Sequence, residues 1–320
     1  MTRIYAFNGD ADGLCALQQL RLAEPGEALL VTGIKRDIKL LERVQAYRGD
    51  EVIALDISLD SNREGLLSLL ERGVSVRYFD HHFAGELPNL PHFAACIDIA
   101  TDVCSSILVD RYLKARHHPW AIVAAYGDSL RKVAEGMAVQ AGYDQQHCQR
   151  LEKLGIYLNY NAYGERLEDL HFDPAALAEA MLPYQDPLAF MQESDVFAAL
   201  SAGYEQDMAL ARQLQPLRQG AASMVVMLPD QAWARRAIGV LANELMLAHP
   251  GHAVAILSPR FSGGYTVSLR VPADSPLAAD EFCRRFPTGG GRRGAAGINL
   301  LSESSLDGFI SQFETEFTAP

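Results

Sequence analysis

No apolar run in this sequence approaches the roughly 20 residues that a helix needs to cross a bilayer. A helical membrane span is therefore not expected. The cysteines are few and scattered: Cys15, Cys96, Cys104, Cys148 and Cys283 are odd in number and form no CxxC pair. That pattern argues against a disulfide framework or a zinc cluster and fits reduced thiols in a cytoplasmic protein. Positive charge is short as well, with 28 Lys and Arg against 40 Asp and Glu and a net charge of -12. A protein that tracks a long phosphodiester backbone gains affinity by releasing counterions to many basic groups. The balance here favours a small anionic ligand met by a few focused cations. Internal repeats and low-complexity segments are absent. The opening MTRIYAFNGDADG carries one basic residue, then acids, and does not read as a signal peptide.

What the sequence does contain is an alternation of short apolar runs with helical patterns. The length of 320 residues suggests two domains. RIYAFN, ALLVTG, EVIALD, VSVRYFD and FAACID read as strands, separated by DGLCALQQLRLA, IKLLERVQAY and SNREGLLSLLERG with apolar residues near 3.6 spacing. This rhythm predicts an α/β fold: a parallel sheet covered by helices on both faces, with ligands beyond the carboxyl ends of its strands. From Asp102 to about Arg218 the pattern is mainly helical and punctuated by Pro183, Pro187 and Pro216. After Gly220, ASMVVML, HAVAILS, YTVSLRV and INLL read as strands, with WARRAIGVLANELML and the terminal segment as helices. The expected domains are 1–190, a helical linker over 191–220, and a smaller α/β domain over 221–320.

Carboxylates mark several of the strand ends. The first runs into Asn8-Gly9-Asp10-Ala11-Asp12-Gly13, the third ends at Asp56, and the fourth at Asp80-His81-His82. Asp128 follows the apolar helical run AIVAAYG. An Asp at a strand-to-helix turn also serves as an N-cap, a role open to Asp12 and Asp60. His117-His118, ahead of a proline, reads as a solvated loop. Carboxylates gathered at one sheet edge repel one another unless a cation neutralises them. Oxygen ligands joined by imidazole suit Mn²⁺ or a similar divalent ion. Two such ions sharing a carboxylate would lie about 3.5–4 Å apart and could clamp a phosphoryl centre.

NGDADG, the isolated acid of ALDIS, FDHHF and the later GDS resemble, in order, the four phosphoesterase motifs of the DHH superfamily. TGGGRRGAAG, with YTVSLR before it, resembles the glycine-rich substrate motif of the DHH-associated C-terminal domain. The resemblance spans nearly the whole chain. It implies a metal-bearing N-terminal DHH domain and a nanoRNase- or RecJ-like phosphodiesterase using two Mn²⁺ ions, with Mg²⁺ or Co²⁺ as substitutes. Asp10 and the neutral carbonyl of Asn8 are then expected at the first ion and Asp12 at the second, with Asp56 bridging. His81 and Asp128 complete the second site. His82 is expected to face the phosphate as the catalytic side chain while hydroxide held between the ions attacks phosphorus. Three positions depart from the family pattern: Ala6 stands where many members have His, Asn8 where RecJ-like members have Asp, and Arg292 follows Gly289-Gly290-Gly291 where His is usual.

Consecutive glycines let backbone N–H groups approach a phosphate or a base. Arg292 offers a planar fork for phosphate, and Arg270 resembles the family's substrate-binding arginine. Substrate binding is therefore expected at Arg270, Gly289, Gly290, Gly291 and Arg292. Lys35-Arg36, at the edge that carries the acids, reads equally as a substrate contact or a solvated turn. The favoured partner is a short oligonucleotide or dinucleotide, without a membrane and with a homodimer as one possible assembly. Two alternatives stand beside it: a single-strand-specific exonuclease and a catalytically inactive nucleotide sensor.

Overall fold

A computed structural model describes residues 1–317 and divides the chain into two compact units. The first takes in residues 1–162 and 166–202; the second takes in 163–165 and the chain from 203 onward. Among the described residues no helix is long and apolar enough to cross a membrane. All five cysteines are unpaired.

The first unit opens with β1 (Arg3–Phe7), α1 (Ala11–Ala23), β2 (Leu29–Val31), β3 (Glu51–Leu55), α2 (Arg63–Glu71), β4 (Ser75–Asp80) and β5 (Phe93–Ile97). The strands form one parallel sheet in the order β2-β1-β3-β4-β5. Side chains alternate across a strand, and both sets here are apolar. Ile4, Ala6, Val52, Ala54, Val76 and Tyr78 pack with Leu66 and Leu69 of α2 on one face. Tyr5, Phe7, Ile53, Leu55 and Phe79 are buried on the other, where α1 meets β1 and β3. The strand order reverses between β1 and β3, and ligands of such sheets sit beyond the strand ends at that reversal. The tails of β1 and β3 are Asn8–Asp12 and Asp56.

Helices dominate the rest of the unit: α3 (Ser105–Tyr112), α4 (His118–Gly127), α5 (Arg131–Gln140), α6 (Gln145–Asn161), α7 (Pro174–Met181), α8 (Pro187–Glu193) and α9 (Asp195–Ala211), which leads into the second unit. Two expectations need correction. IKLLERVQAY is not an α-helix; only Leu40–Arg43 turns, as a short 3-10 segment. Asn62 explains why: its side chain accepts from Leu41 N at 3.1 Å and donates to Ile38 O at 2.8 Å, replacing helical partners. His117-His118 is not a solvated loop either. His117 is buried, and His118 opens α4 with its ring against Asp110 at 2.8 Å.

The second unit is a mixed sheet ordered β10-β11-β9-β8-β7-β6. Its elements are β6 (Arg218–Gln219), β7 (Ser223–Met227), α10 (Ala232–Ala248), β8 (Ala253–Pro259), β9 (Tyr265–Arg270), α11 (Ala279–Cys283), β10 (Gly289–Arg292), β11 (Ala295–Leu301) and α12 (Leu306–Glu316). Only β7 and β8 pair in parallel. Phe282, Phe309 and Phe313 seal one face of it against Val225, Leu257, Val267 and Leu269. The glycine-rich segment is part of this sheet: Gly289–Arg292 is its edge strand, paired antiparallel with β11.

Candidate metal centre

β1 ends in a turn that reverses sharply into α1, so closely that a Cβ on Gly13 would lie 2.1 Å from the carbonyl oxygen of Asn8. Asp10 is the N-cap of α1: its Oδ1 accepts from Asp12 N at 3.0 Å and Gly13 N at 3.2 Å. Asp12 does not cap its own helix. It reaches across to α3, where Oδ2 accepts from Ser105 N and Oδ1 from Ser106 N, each at 2.7 Å. The first amides of a helix have no intrahelical partner, and here the two Asp12 oxygens satisfy a pair of them. Both acids are buried.

Asp56 follows β3 with φ of 56°, a left-handed conformation that Asp tolerates better than most residues. It turns its carboxylate toward Ser105, whose hydroxyl donates to Oδ1 at 3.0 Å. Burial, then the charges of Asp12, Asp10, Asp80 and Asp128, push the Asp56 carboxyl well above the usual carboxylate range. Asp128 caps the C-terminal end of α4, the negative end of that helix. Burial first, then Asp12, push it up to about 6 from 3.8, against the opposing pull of His81 and Lys35.

His81 supplies the clearest test of what this cluster accepts. Its Nδ1 lies 2.9 Å from the carbonyl oxygen of Val103 and must donate to it, because a carbonyl has no proton to give. The other nitrogen, Nε2, then carries a lone pair in the neutral ring. It faces Asp56 Oδ1 at 3.5 Å and Asp128 Oδ2 at 4.0 Å. Asp128 Oδ2 is buried and has no hydrogen-bond partner. A lone pair that faces two carboxylate oxygens is an arrangement that a cation satisfies, and a backbone-anchored histidine is how metal ligands are commonly oriented. Asp56, His81 and Asp128 therefore fit a divalent ion, and Asp12 stands near enough for its charge to act on both carboxyls. Ligand atoms of Asp56, His81 and His82 all lie within 4.8 Å of one another.

His82 has a different setting. Its ring packs edge-on to His81, and Nδ1 lies 2.7 Å from Asp80 Oδ1 while the side chain stays 43% exposed. Burial alone would lower its pKa, but the hydrogen bond and charge of Asp80 outweigh that and raise it. Asp80 is the acid that sequence reasoning left without a role. It is fully buried at the end of β4, where Oδ1 also accepts from His81 N at 2.9 Å and Oδ2 from Leu59 N at 3.3 Å. Ser105 was missed too. Its only sequence signal is a place in the Cys104-Ser105-Ser106 run that opens α3.

Asn8 and Asp10, expected at a first ion, are engaged within the protein. Asn8 Oδ1 accepts from Asp10 N at 3.3 Å. Asp10 Oδ2 forms an ion pair with Lys35, whose ammonium also donates to Asn159 Oδ1 at 2.8 Å. Burial works against the Asp10 charge, but Lys35 prevails and lowers its pKa, helped by Gly13 N and the Asp56 carboxyl. Lys35 is thus held by Asp10 and Asn159, while its neighbour Arg36 is exposed.

In the second unit, Arg270 closes β9 with Nε on Asn243 Oδ1 at 2.9 Å and Nη1 on Ser268 Oγ at 3.2 Å and Leu269 O at 3.0 Å. Burial pulls its pKa down, with Tyr163 opposing, and no carboxylate among the described residues pairs with it. The three glycines differ. A Cβ at Gly289 would lie 1.8 Å from Cys283 O, and at Gly291, where φ is 146°, 2.4 Å from Ala296 Cα; at Gly290 it would meet nothing within 4 Å. Packing therefore accounts for the outer two and not for the middle one. Arg292 is exposed at the end of the edge strand.

This architecture is a RecJ/DHH-like fold. An exonuclease RecJ bound to manganese superposes with a TM-score of 0.63 at 19% identity, over 98% of this chain and 89% of that one. RecJ from Thermus thermophilus, in complex with Mn²⁺, gives 0.60 at 18%, over 98% of this chain and 51% of that longer one. PggH, a pGpG-specific phosphodiesterase from Vibrio cholerae, gives 0.58 at 14%, over 99% and 100%. No family model and no curated protein matches the chain in sequence.

Proposed function

We propose that this chain is a divalent-metal-dependent phosphodiesterase that hydrolyses short oligonucleotides or linear dinucleotides, with Mn²⁺ as its ion and Mg²⁺ or Co²⁺ as substitutes. One observation carries the reading. His81 Nε2, beyond the end of β4 where this sheet type places its ligands, faces Asp56 Oδ1 at 3.5 Å and the unpartnered Asp128 Oδ2 at 4.0 Å.

When bound, a divalent ion would offset charge on phosphoryl oxygens and make water a better nucleophile near neutral pH. The protein's share is positioning. Ser105 and the first amides of α3 fix Asp56 and Asp12, and Val103 fixes the ring of His81. Asp80 holds Nδ1 of His82 and favours its protonated form, which leaves Nε2–H to donate to a phosphoryl oxygen or to the departing oxygen. Arg270, a half-buried guanidinium without a carboxylate, is proposed to take an anionic group of the substrate, and Gly290 leaves its strand edge open to close approach. The RecJ and PggH likenesses support phosphodiester chemistry. The net charge of -12 favours short substrates over long ones.

The test is a substrate panel. The Mn²⁺-loaded protein is offered a labelled linear dinucleotide, a cyclic dinucleotide, pyrophosphate and a long single strand. Fastest turnover of the linear dinucleotide is expected. Preference for the long strand would make the chain an exonuclease instead, and binding without turnover of any would make it a sensor.

A further inference from the structure

The turn after β2 places Lys35 with unusual definition for a lysine near a surface. Its backbone N–H donates to Ala162 O at 2.9 Å, and its carbonyl accepts from Asn8 Nδ2 at 3.5 Å. The ammonium lies against Asp10 Oδ2 and Asn159 Oδ1, and the Asp10 side chain it meets is only 5% exposed. Each oxygen offered at this end of the cluster already has a donor: Asp10 Oδ1 has Asp12 N and Gly13 N, Asp10 Oδ2 has Lys35, and Asn8 Oδ1 has Asp10 N. Ala6, fully buried, brings no ligand atom. A divalent ion bound at Asp10 would have to displace the ammonium or sit beside it, and like charges in a poorly solvated site repel strongly. At the other end of the cluster the donors to Asp12 and Asp56 are neutral amides and a hydroxyl, not a cation, and the Asp128 oxygen has no donor.

We propose that Lys35 is a built-in cation at the first position, so that the chain takes one divalent ion, at Asp12, Asp56, His81 and Asp128. The ammonium supplies the remaining positive charge beside the phosphoryl group. Lysine delivers one charge where an ion delivers two, but needs no loading from solution. This deepens the hydrolase reading and rests on it, since the ammonium is placed to act on the same phosphoryl group.

Electron paramagnetic resonance with elemental analysis tests it, using the intact chain and Mn²⁺ alone. At saturating Mn²⁺ the wild type should hold one ion per chain and give the six-line spectrum of an isolated ion. Two ions per chain with a spin-coupled spectrum would overturn the proposal. Lys35→Met keeps the aliphatic stem and removes the charge; it should rise from one ion to two and become spin-coupled. A folded Lys35→Met protein that stays at one ion would also overturn it, because Lys35 would not be what excludes the second. If that variant fails to fold, the wild-type stoichiometry alone decides. Dinucleotide hydrolysis measured alongside separates the two readings: two ions with hydrolysis overturns this inference and spares the proposed activity. One ion without hydrolysis does the opposite.

Discussion

Replacing Asp128 by Asn separates the cost of the acidic cluster from its use. The Asp128 carboxyl sits at the C-terminal end of α4, 19% exposed, with Oδ2 unpartnered. Burial and Asp12 push its pKa from 3.8 up to about 6. A folded-state pKa above the unfolded one means that the metal-free protein keeps this contribution to stability below about pH 4. It loses the contribution as pH rises through about 6. A shift of roughly two units at about 1.4 kcal/mol per unit corresponds to about 3 kcal/mol above that range. Asn has the same shape without the charge, but its amide protons inherit a site lacking partners, which returns about 1–2 kcal/mol of the gain. Metal-free Asp128→Asn should therefore be more stable than the wild type at pH 7.5 by about 1–2 kcal/mol, or roughly 2–8 °C in Tm for a unit of this size. The difference should shrink towards pH 5. Mn²⁺ should reverse the order, since an ion at 100 times its Kd stabilises the wild type by about 2.7 kcal/mol and the variant has lost a ligand. Thermal melts with chelator and with Mn²⁺ at both pH values give all four numbers. A variant that melts below the wild type in chelator at pH 7.5, or an equal Mn²⁺ shift in both proteins, would refute the reasoning.

His82→Ala should lower kcat by about 10²-fold or more while leaving Mn²⁺ content unchanged, as for a positioned proton donor; loss of metal would instead make His82 a ligand. Arg270→Ala and Arg292→Ala should each raise KM for a dinucleotide tenfold or more at unchanged metal loading, since a charge-assisted contact is worth about 1.5–3 kcal/mol. An unmoved KM in both would remove the second unit from substrate binding. Lengthening the oligonucleotide should lower kcat/KM, and added salt should soften the decline because the Debye length falls to about 8 Å at physiological ionic strength. A steady rise with length would contradict this.

Much of the first unit was legible because its signals are local. RIYAFN, EVIALD and VSVRYFD are strands for the reason their residues suggest, and Asp56 and His81 follow strand ends while Asp128 follows the helical run. IKLLERVQAY misleads because Leu40, Leu41, Val44 and Ala46 are buried by packing against β1, β3 and α2 rather than by a helix, with Asn62, some twenty residues away, closing the backbone. The glycine segment is a strand because β11 supplies its partners, which composition cannot show. Helix α5 leaves little periodic signal, since RKVAEGMAVQ buries only Ala134 and Ala138. At the site, residue types gave the acids, but the partners that set their roles come from far along the chain. Ser105 lies 49 residues from Asp56, and Asn159 lies 124 from Lys35.

Asp56 is the side chain on which the proposed chemistry depends most, and its left-handed backbone makes Asn a cleaner replacement than Ala. The decisive measurement is release of mononucleotide from a labelled linear dinucleotide by the wild type and by Asp56→Asn, each in Mn²⁺ and in chelator. The wild type should turn over in Mn²⁺ and stop in chelator, and Asp56→Asn should retain under about 1% of the rate while keeping its fold. Undiminished turnover by the variant, or wild-type turnover indifferent to chelator, would contradict a metal-dependent phosphodiesterase centred on Asp56.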